Sequence, residues 1–174
     1  MVIGSHCVYT GEVQCEVDQS GKVEQTNVDT YVAIAGEVKL VVCLRGKVKR
    51  ALLEAFKVVG KKGLFPYEVF AAVLAHVIKR SRAGGSVVVD REYVGYENLI
   101  GKLTGEYLQL LGYKKEITIS FGHVGKTSEA HQFGYRTAIG KRKPDKVVSF
   151  YEVLNLTVRL KKDRELLRKS LGIA

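Results

Sequence analysis

Three carboxylates occupy positions where an acid is expensive to keep. Asp18 closes the alternating segment VQCEVD (13–18), Glu68 lies near the start of the almost wholly apolar FPYEVFAAVLAHVIK (65–79), and Asp90 ends SVVVD (86–90). Desolvating a carboxylate costs several kcal/mol unless a positive partner offsets it. If the three acids converge, their mutual repulsion calls for a cation. A hard divalent ion, Mg²⁺ or Mn²⁺, fits all-oxygen ligands and keeps waters that a phosphate can displace. Two such ions about 4 Å apart can activate a water and stabilise the leaving oxygen of a phosphodiester. Each acid also has an ordinary role when taken alone. Glu68 suits the first turn of a helix by the helix dipole, Asp18 can start the turn Gln19-Ser20-Gly21, and Asp90 can cap a strand end.

The elements that must position these acids follow from the patterning. Val13 to Asp18, Asp29 to Gly36 and Val38 to Leu44 read as three strands joined by short connections, an antiparallel meander with a turn at Gln19 to Lys22. Arg45 to Val59 has helical periodicity, with Val48, Leu52, Leu53 and Phe56 on one face. Pro66 opens a second helix, which runs to about Arg82. Gly84-Gly85 breaks it before the strand Ser86 to Asp90. A helix from about Gly95 to Leu111, a strand Glu116 to Ser120, a loop Gly122 to Gly125 and a helix capped by Ser128 follow. Beyond Pro144 the pattern predicts a β-rich segment from Val147 to Leu160 and a charged helix from Lys161 to Leu171. A meander followed by β-α-β crossovers predicts an α/β fold, a mixed sheet flanked by helices.

The 174 residues are enough for one domain with a substantial core and too few for two of ordinary size. The longest apolar run, Val69 to Ile78, is interrupted by His76 and is far short of the roughly 18 residues of a membrane span. The N-terminus lacks a signal-peptide pattern, so no membrane association and a cytoplasmic location are expected. The three cysteines, Cys7, Cys15 and Cys43, have no metal-ligand spacing, even with His6 beside Cys7, and read as small buried apolar residues. The net charge of +10, from 28 Lys+Arg against 18 Asp+Glu, favours a polyanionic partner such as nucleic acid.

With these features in place, the sequence resembles the ribonuclease H family from Asp18 to about Ala138. The family's first-strand acid matches Asp18 in VDQSGKVE, and its early-helix acid matches Glu68 in YEVFAAVLAHVIK. Its strand-four Asp-x-x-Tyr-Val matches Asp90-Arg91-Glu92-Tyr93-Val94, and its mobile Gly-His-x-Gly loop matches Gly122-His123-Val124-Gly125. The resemblance implies a five-stranded mixed sheet within a single domain, 1–174. The core would span about 12–143, with a helical insertion after strand 3 (residues 45–59) and a C-terminal extension over 144–174. It also implies that Asp18, Glu68, Asp90 and His131 hold two Mg²⁺ or Mn²⁺ ions. His131 stands where the family has a fourth carboxylate, within Glu129-Ala130-His131; an imidazole can bind these metals. Gln132 is the next candidate for that ligand, and Glu54, on the insertion, is a rival to Glu68. His123 would assist the metal-bound water or product release.

Gly125-Lys126-Thr127 mimics the end of a phosphate-binding loop, but Ser120 stands where that motif needs glycine. Basic residues cluster at Lys47, Lys49 and Arg50, at Lys61 and Lys62, at Lys79, Arg80 and Arg82, and along the C-terminal helix. With Lys126, the group Arg136, Lys141, Arg142 and Lys143 would meet phosphates near the site. Tyr93, with Tyr96 nearby, could stack on sugars or bases. The expected activity is metal-dependent endonucleolytic cleavage, with the RNA strand of an RNA/DNA hybrid as the leading substrate and structured DNA as an alternative. A junction resolvase or integrase-like nuclease and a non-catalytic nucleic-acid-binding module of the same fold are the rivals, acting as monomer or homodimer.

Overall fold

The computed structural model describes residues 15–172; His6 and Cys7 lie outside them. Three strands open the fold: β1 (Cys15–Ser20), β2 (Thr30–Gly36) and β3 (Leu40–Leu44). They pair antiparallel as the alternating patterns require, with Asp18 opposite Ala33 and Val32 opposite Val42. β4 (Gly85–Asp90) and β5 (Ile117–Gly122) then add in parallel on the other side of β1, and β6 (Lys146–Val148) pairs in parallel with β3. The result is a mixed sheet in the order β5-β4-β1-β2-β3-β6, six strands rather than the expected five.

Two layers of helix cover this sheet. α1 (Gly46–Val58), α2 (Phe65–Ser81) and α3 (Glu97–Leu110) come before β5, α4 (Glu129–Ala138) follows it, and α5 (Phe150–Thr157) and α6 (Lys161–Leu171) come last. Strand alternation assigns the faces. Val17, Val32, Ile34, Val42, Val87 and Val89 join α2 and α3 in one apolar core. Asp18 and Ala33 point the other way, against α4, where a Cβ on Gly134 would lie only 3.5 Å from the Ala33 Cβ and 3.3 Å from the Ser20 hydroxyl. A larger residue there would have to displace the Ser20 hydroxyl, so glycine eases the close approach of α4 to β1.

α2 is the central buttress. Pro66 stands in its first turn, and 13 of its 17 residues are buried. Each large apolar side chain removed from water contributes about 1.5–3 kcal/mol. That gain carries the polar groups also buried there, Glu68, His76 and Ser81.

Two local expectations are corrected. The segment Val147 to Leu160 is not a long strand: after three residues of β6 it becomes α5. Ser149 starts that helix with a reciprocal capping box, its hydroxyl accepting from the Glu152 N–H at 3.3 Å while the Glu152 carboxylate accepts from the Ser149 N–H at 2.8 Å. Lys146 adds an ion pair to Glu152 at 2.6 Å. The β-branched and aromatic content of VVSFYEVLNLTV concealed a helix whose Val153, Leu154, Leu156 and Thr157 are buried. Likewise, Gln19 and Ser20 belong to β1 rather than to a turn, and a loop over 21–29 connects to β2.

That loop is tightly built. Gly21 has φ +78°, and a Cβ there would meet the Asp29 carbonyl oxygen at 2.4 Å, so no other residue closes the turn. Lys49 of α1, fully buried, donates to the Lys22 carbonyl at 2.9 Å, the Gln25 carbonyl at 2.8 Å and the Thr30 hydroxyl at 2.8 Å. Its burial outweighs the nearby acids and pulls the ammonium down to about 8. Arg50 donates to the Thr26 carbonyl at 2.8 Å, and Asp29 accepts from the Gly46 N–H at 2.8 Å. The helix expected as an insertion is therefore the clamp on the β1–β2 connection.

Candidate functional site

Asp18 and Asp90 stand side by side. β1 and β4 run parallel with Val17 paired to Val89, so the next residue on each strand is an aspartate, and both turn away from the core face. Asp18 is almost fully buried, at 4% exposure. α4 supplies the third member: Ser128 caps the helix by accepting from the His131 N–H at 3.1 Å, and the His131 Nδ1 lies 3.2 Å from the Asp18 Oδ2. Burial pushes the Asp18 carboxyl up to about 6. His131 pulls it back, and the negative charges of Asp90 and Glu92 push it further up. The pocket therefore holds more negative charge than its one imidazole offsets.

Asp90 is tied to the loop after β5, its Oδ1 accepting from the Val124 N–H at 2.7 Å. His123, the residue before that contact, is exposed. Glu92, which sequence reasoning passed over, also belongs here. Its carboxylate pairs with Lys22 at 3.7 Å, and burial, with Asp90 and Glu24 nearby, raises its pKa despite Lys22. Its signal was the Asp-x-Glu spacing of Asp90 and Glu92. Gln132, the fallback ligand, is engaged elsewhere and donates to the Lys126 carbonyl at 2.9 Å.

Glu68 does not join this group. It lies on α2, in the layer packed on the Val17 and Val89 face, whereas Asp18 faces α4. It is buried, and burial raises its pKa; the charges around it are Lys61, Arg159 and Asp163, with Tyr107 also close. Lys61 pairs with Asp163 at 3.1 Å, so Glu68 belongs to the seam that docks α6 on the helix layer. The reason is rotational. Val69, Ala72 and Val73 are among the α2 residues in the apolar core, which leaves position 68 facing the neighbouring helices. Glu54 is no substitute, because it is exposed and paired with Lys57 at 2.7 Å.

The expected nucleic-acid contacts divide in the same way. Lys126, Arg136 and Lys141 are exposed. Arg142 is committed to Asp145 through two bonds of 2.8 Å and lies over the Phe133 ring. Tyr93 is corrected to a structural role. It is 8% exposed, packs on Tyr67 and Phe70, accepts from Gln19 Nε2 at 3.2 Å and from the Val23 N–H at 3.3 Å, and donates to Glu24 at 3.2 Å. Tyr96 is more open but stacks on Tyr67 with centroids 3.7 Å apart. Lys49, counted with the basic clusters, is the buried clamp described above.

The four expected ligands do not converge as a set. Glu68 is elsewhere, and among the described residues no three His, Cys, Asp or Glu side chains stand close enough to hold a metal ion together. What remains is the Asp18 and Asp90 pair, with His131 against Asp18 and Glu92 nearby; one or two carboxylates, with waters and a phosphate completing the shell, are the usual way a protein holds a single Mg²⁺. In addition, no described helix is long and apolar enough to cross a membrane. Comparison with protein-family models, with curated proteins and with solved structures finds no match.

Proposed function

We propose that the chain is a phosphodiester-cleaving nuclease of ribonuclease H-like architecture, dependent on a divalent cation and centred on Asp18, Asp90 and His131, with Glu68 outside the site. The single observation that carries this reading is the buried Asp18 carboxylate beside Asp90, with only one imidazole against it. A protein gains nothing in stability from such a pair. Strained electrostatics of this kind gather where chemistry is done.

Supporting it is the order of the chain: a meander whose first strand carries one acid, then a parallel strand ending in the second, as the resemblance implies. A bound Mg²⁺ or Mn²⁺ would supply the positive charge that the pair lacks and a water acidic enough to attack phosphorus. The chain's own residues have the remaining tasks. His131 orients Asp18, the Val124 N–H orients Asp90, and Lys126, Arg136 and Lys141 attract the polyanion in a salt-sensitive, sequence-tolerant way.

A second reading has its own support. The displacement of Glu68 from the acid pair favours a nucleic-acid-binding module without catalysis, and the exposed lysines serve that equally well. Labelled single strands, duplex DNA, RNA/DNA hybrid and four-way junctions, incubated with Mn²⁺ or Mg²⁺, decide between the two. The nuclease reading requires metal-dependent cleavage of at least one substrate, abolished in Asp18→Asn. The binding reading requires affinity that persists in EDTA and no cleavage at all.

A further inference from the structure

α4 carries an exposed feature that neither the core nor the acid pair uses. Its buried residues are Ala130, Gly134 and Thr137. One turn beyond His131, at the i+4 position on the same face, Tyr135 is 51% exposed, and Ile139 one turn further is 45% exposed. The Tyr135 ring is nearly parallel to that of His131, at an interplanar angle of 4° with centroids 6.4 Å apart. The other aromatic side chain of α4, Phe133, lies under Lys39 and Arg142. Tyr135 therefore leaves a flat apolar surface in water, aligned with the imidazole that touches Asp18, beside the exposed Arg136.

We infer that Tyr135 is a stacking platform for a nucleobase flanking the phosphate that reaches Asp18 and Asp90, so that the site takes single-stranded or locally unpaired nucleic acid. This rests on the nucleic-acid reading above and narrows its substrate class. A base inside a duplex has both faces covered by its neighbours, so only an unpaired or splayed base can offer a face to a tyrosine ring. Stacking of this kind tolerates any base, because every base has a π face. Arg136 and Lys141 hold the backbone, and Ile139 extends the apolar track along the helix.

The test is fluorescence anisotropy in EDTA, which prevents cleavage, with one labelled oligonucleotide presented single-stranded and as a full duplex. Wild type is expected to bind the single strand more tightly. Tyr135→Ala should weaken single-strand binding about tenfold, leave the dependence on salt unchanged and alter duplex affinity less than twofold. Tyr135→Trp should restore tight binding. Equal losses on both substrates, or no loss on the single strand, would overturn the inference while leaving the nucleic-acid reading standing. Failure of wild type to bind either substrate, both in EDTA and with Ca²⁺ supplied as a non-catalytic divalent ion, would remove both. Sedimentation provides a further check: a wild-type dimer that Tyr135→Ala dissociates would assign this face to a second copy of the chain and overturn the inference.

Discussion

The Asp18 Oδ2 and the His131 Nδ1 meet at 3.2 Å although 113 residues separate them in the chain. The contact joins the middle of the sheet to the helix on its far face. Gly134 eases the approach of α4 to β1, and the Ser128 cap starts the helix at the right residue.

Asp18→Asn should stabilise the metal-free protein. Burial pushes the folded-state carboxyl up to about 6, above the usual aspartate value of about 4, so between these pH values the folded form holds a proton that the unfolded form has lost. Stability therefore falls as pH rises through this window, and above it the charged group costs about 2–3 kcal/mol. Denaturant melts in EDTA from pH 4 to pH 8 should show wild type losing stability through the window and the variant losing less. A variant no more stable than wild type at pH 7.5 would contradict the electrostatic account.

Glu68→Gln should leave cleavage within about twofold of wild type, because the side chain faces Lys61, Arg159 and Asp163 and not the acid pair. Its effect should fall instead on the docking of α6, read as a change in thermal stability or in protection of that helix from hydrogen exchange. Loss of cleavage with an unchanged melt would return Glu68 to the site.

Lys49→Met should destabilise by about 2–4 kcal/mol, since it leaves two carbonyls and a hydroxyl without their donor inside a buried pocket. Exchange of the amides over residues 21–29 should accelerate most. Chemical melts and hydrogen exchange check this, and a neutral substitution would mean that the loop is not held by the clamp.

His131→Asp should lower the stability of the metal-free protein by about 1–2 kcal/mol, because it sets a third carboxylate against two that are already under-compensated. The same change should tighten Mn²⁺ binding. Weaker metal affinity in this variant would show that the orientation the imidazole gives Asp18 outweighs the added charge.

Much of the fold was legible because strand alternation and helix breakers are local signals. The meander, the β-α-β crossovers and the Ser128 cap follow from residues close in sequence. Asp18 and Asp90 were legible because each sits one residue past a buried valine, on neighbouring strands. Glu68 was not, because an almost wholly apolar helix has no polar face from which to read its rotation. α5 was missed because β-branched residues dominate it, and the capping box that starts it was overridden by composition. Tyr93 was misassigned because a tyrosine beside an acid looks the same in sequence whether its hydroxyl meets solvent or, as here, Gln19, Val23 and Glu24.

Calorimetric titration of Mn²⁺ into the metal-free protein at pH 7.5 tests the centre of this account most directly. Wild type and Glu68→Gln should bind the ion with similar heats, while Asp18→Asn, Asp90→Asn and His131→Ala should bind it far more weakly or not at all. No measurable binding to wild type, or a loss in Glu68→Gln as large as in Asp18→Asn, would contradict it.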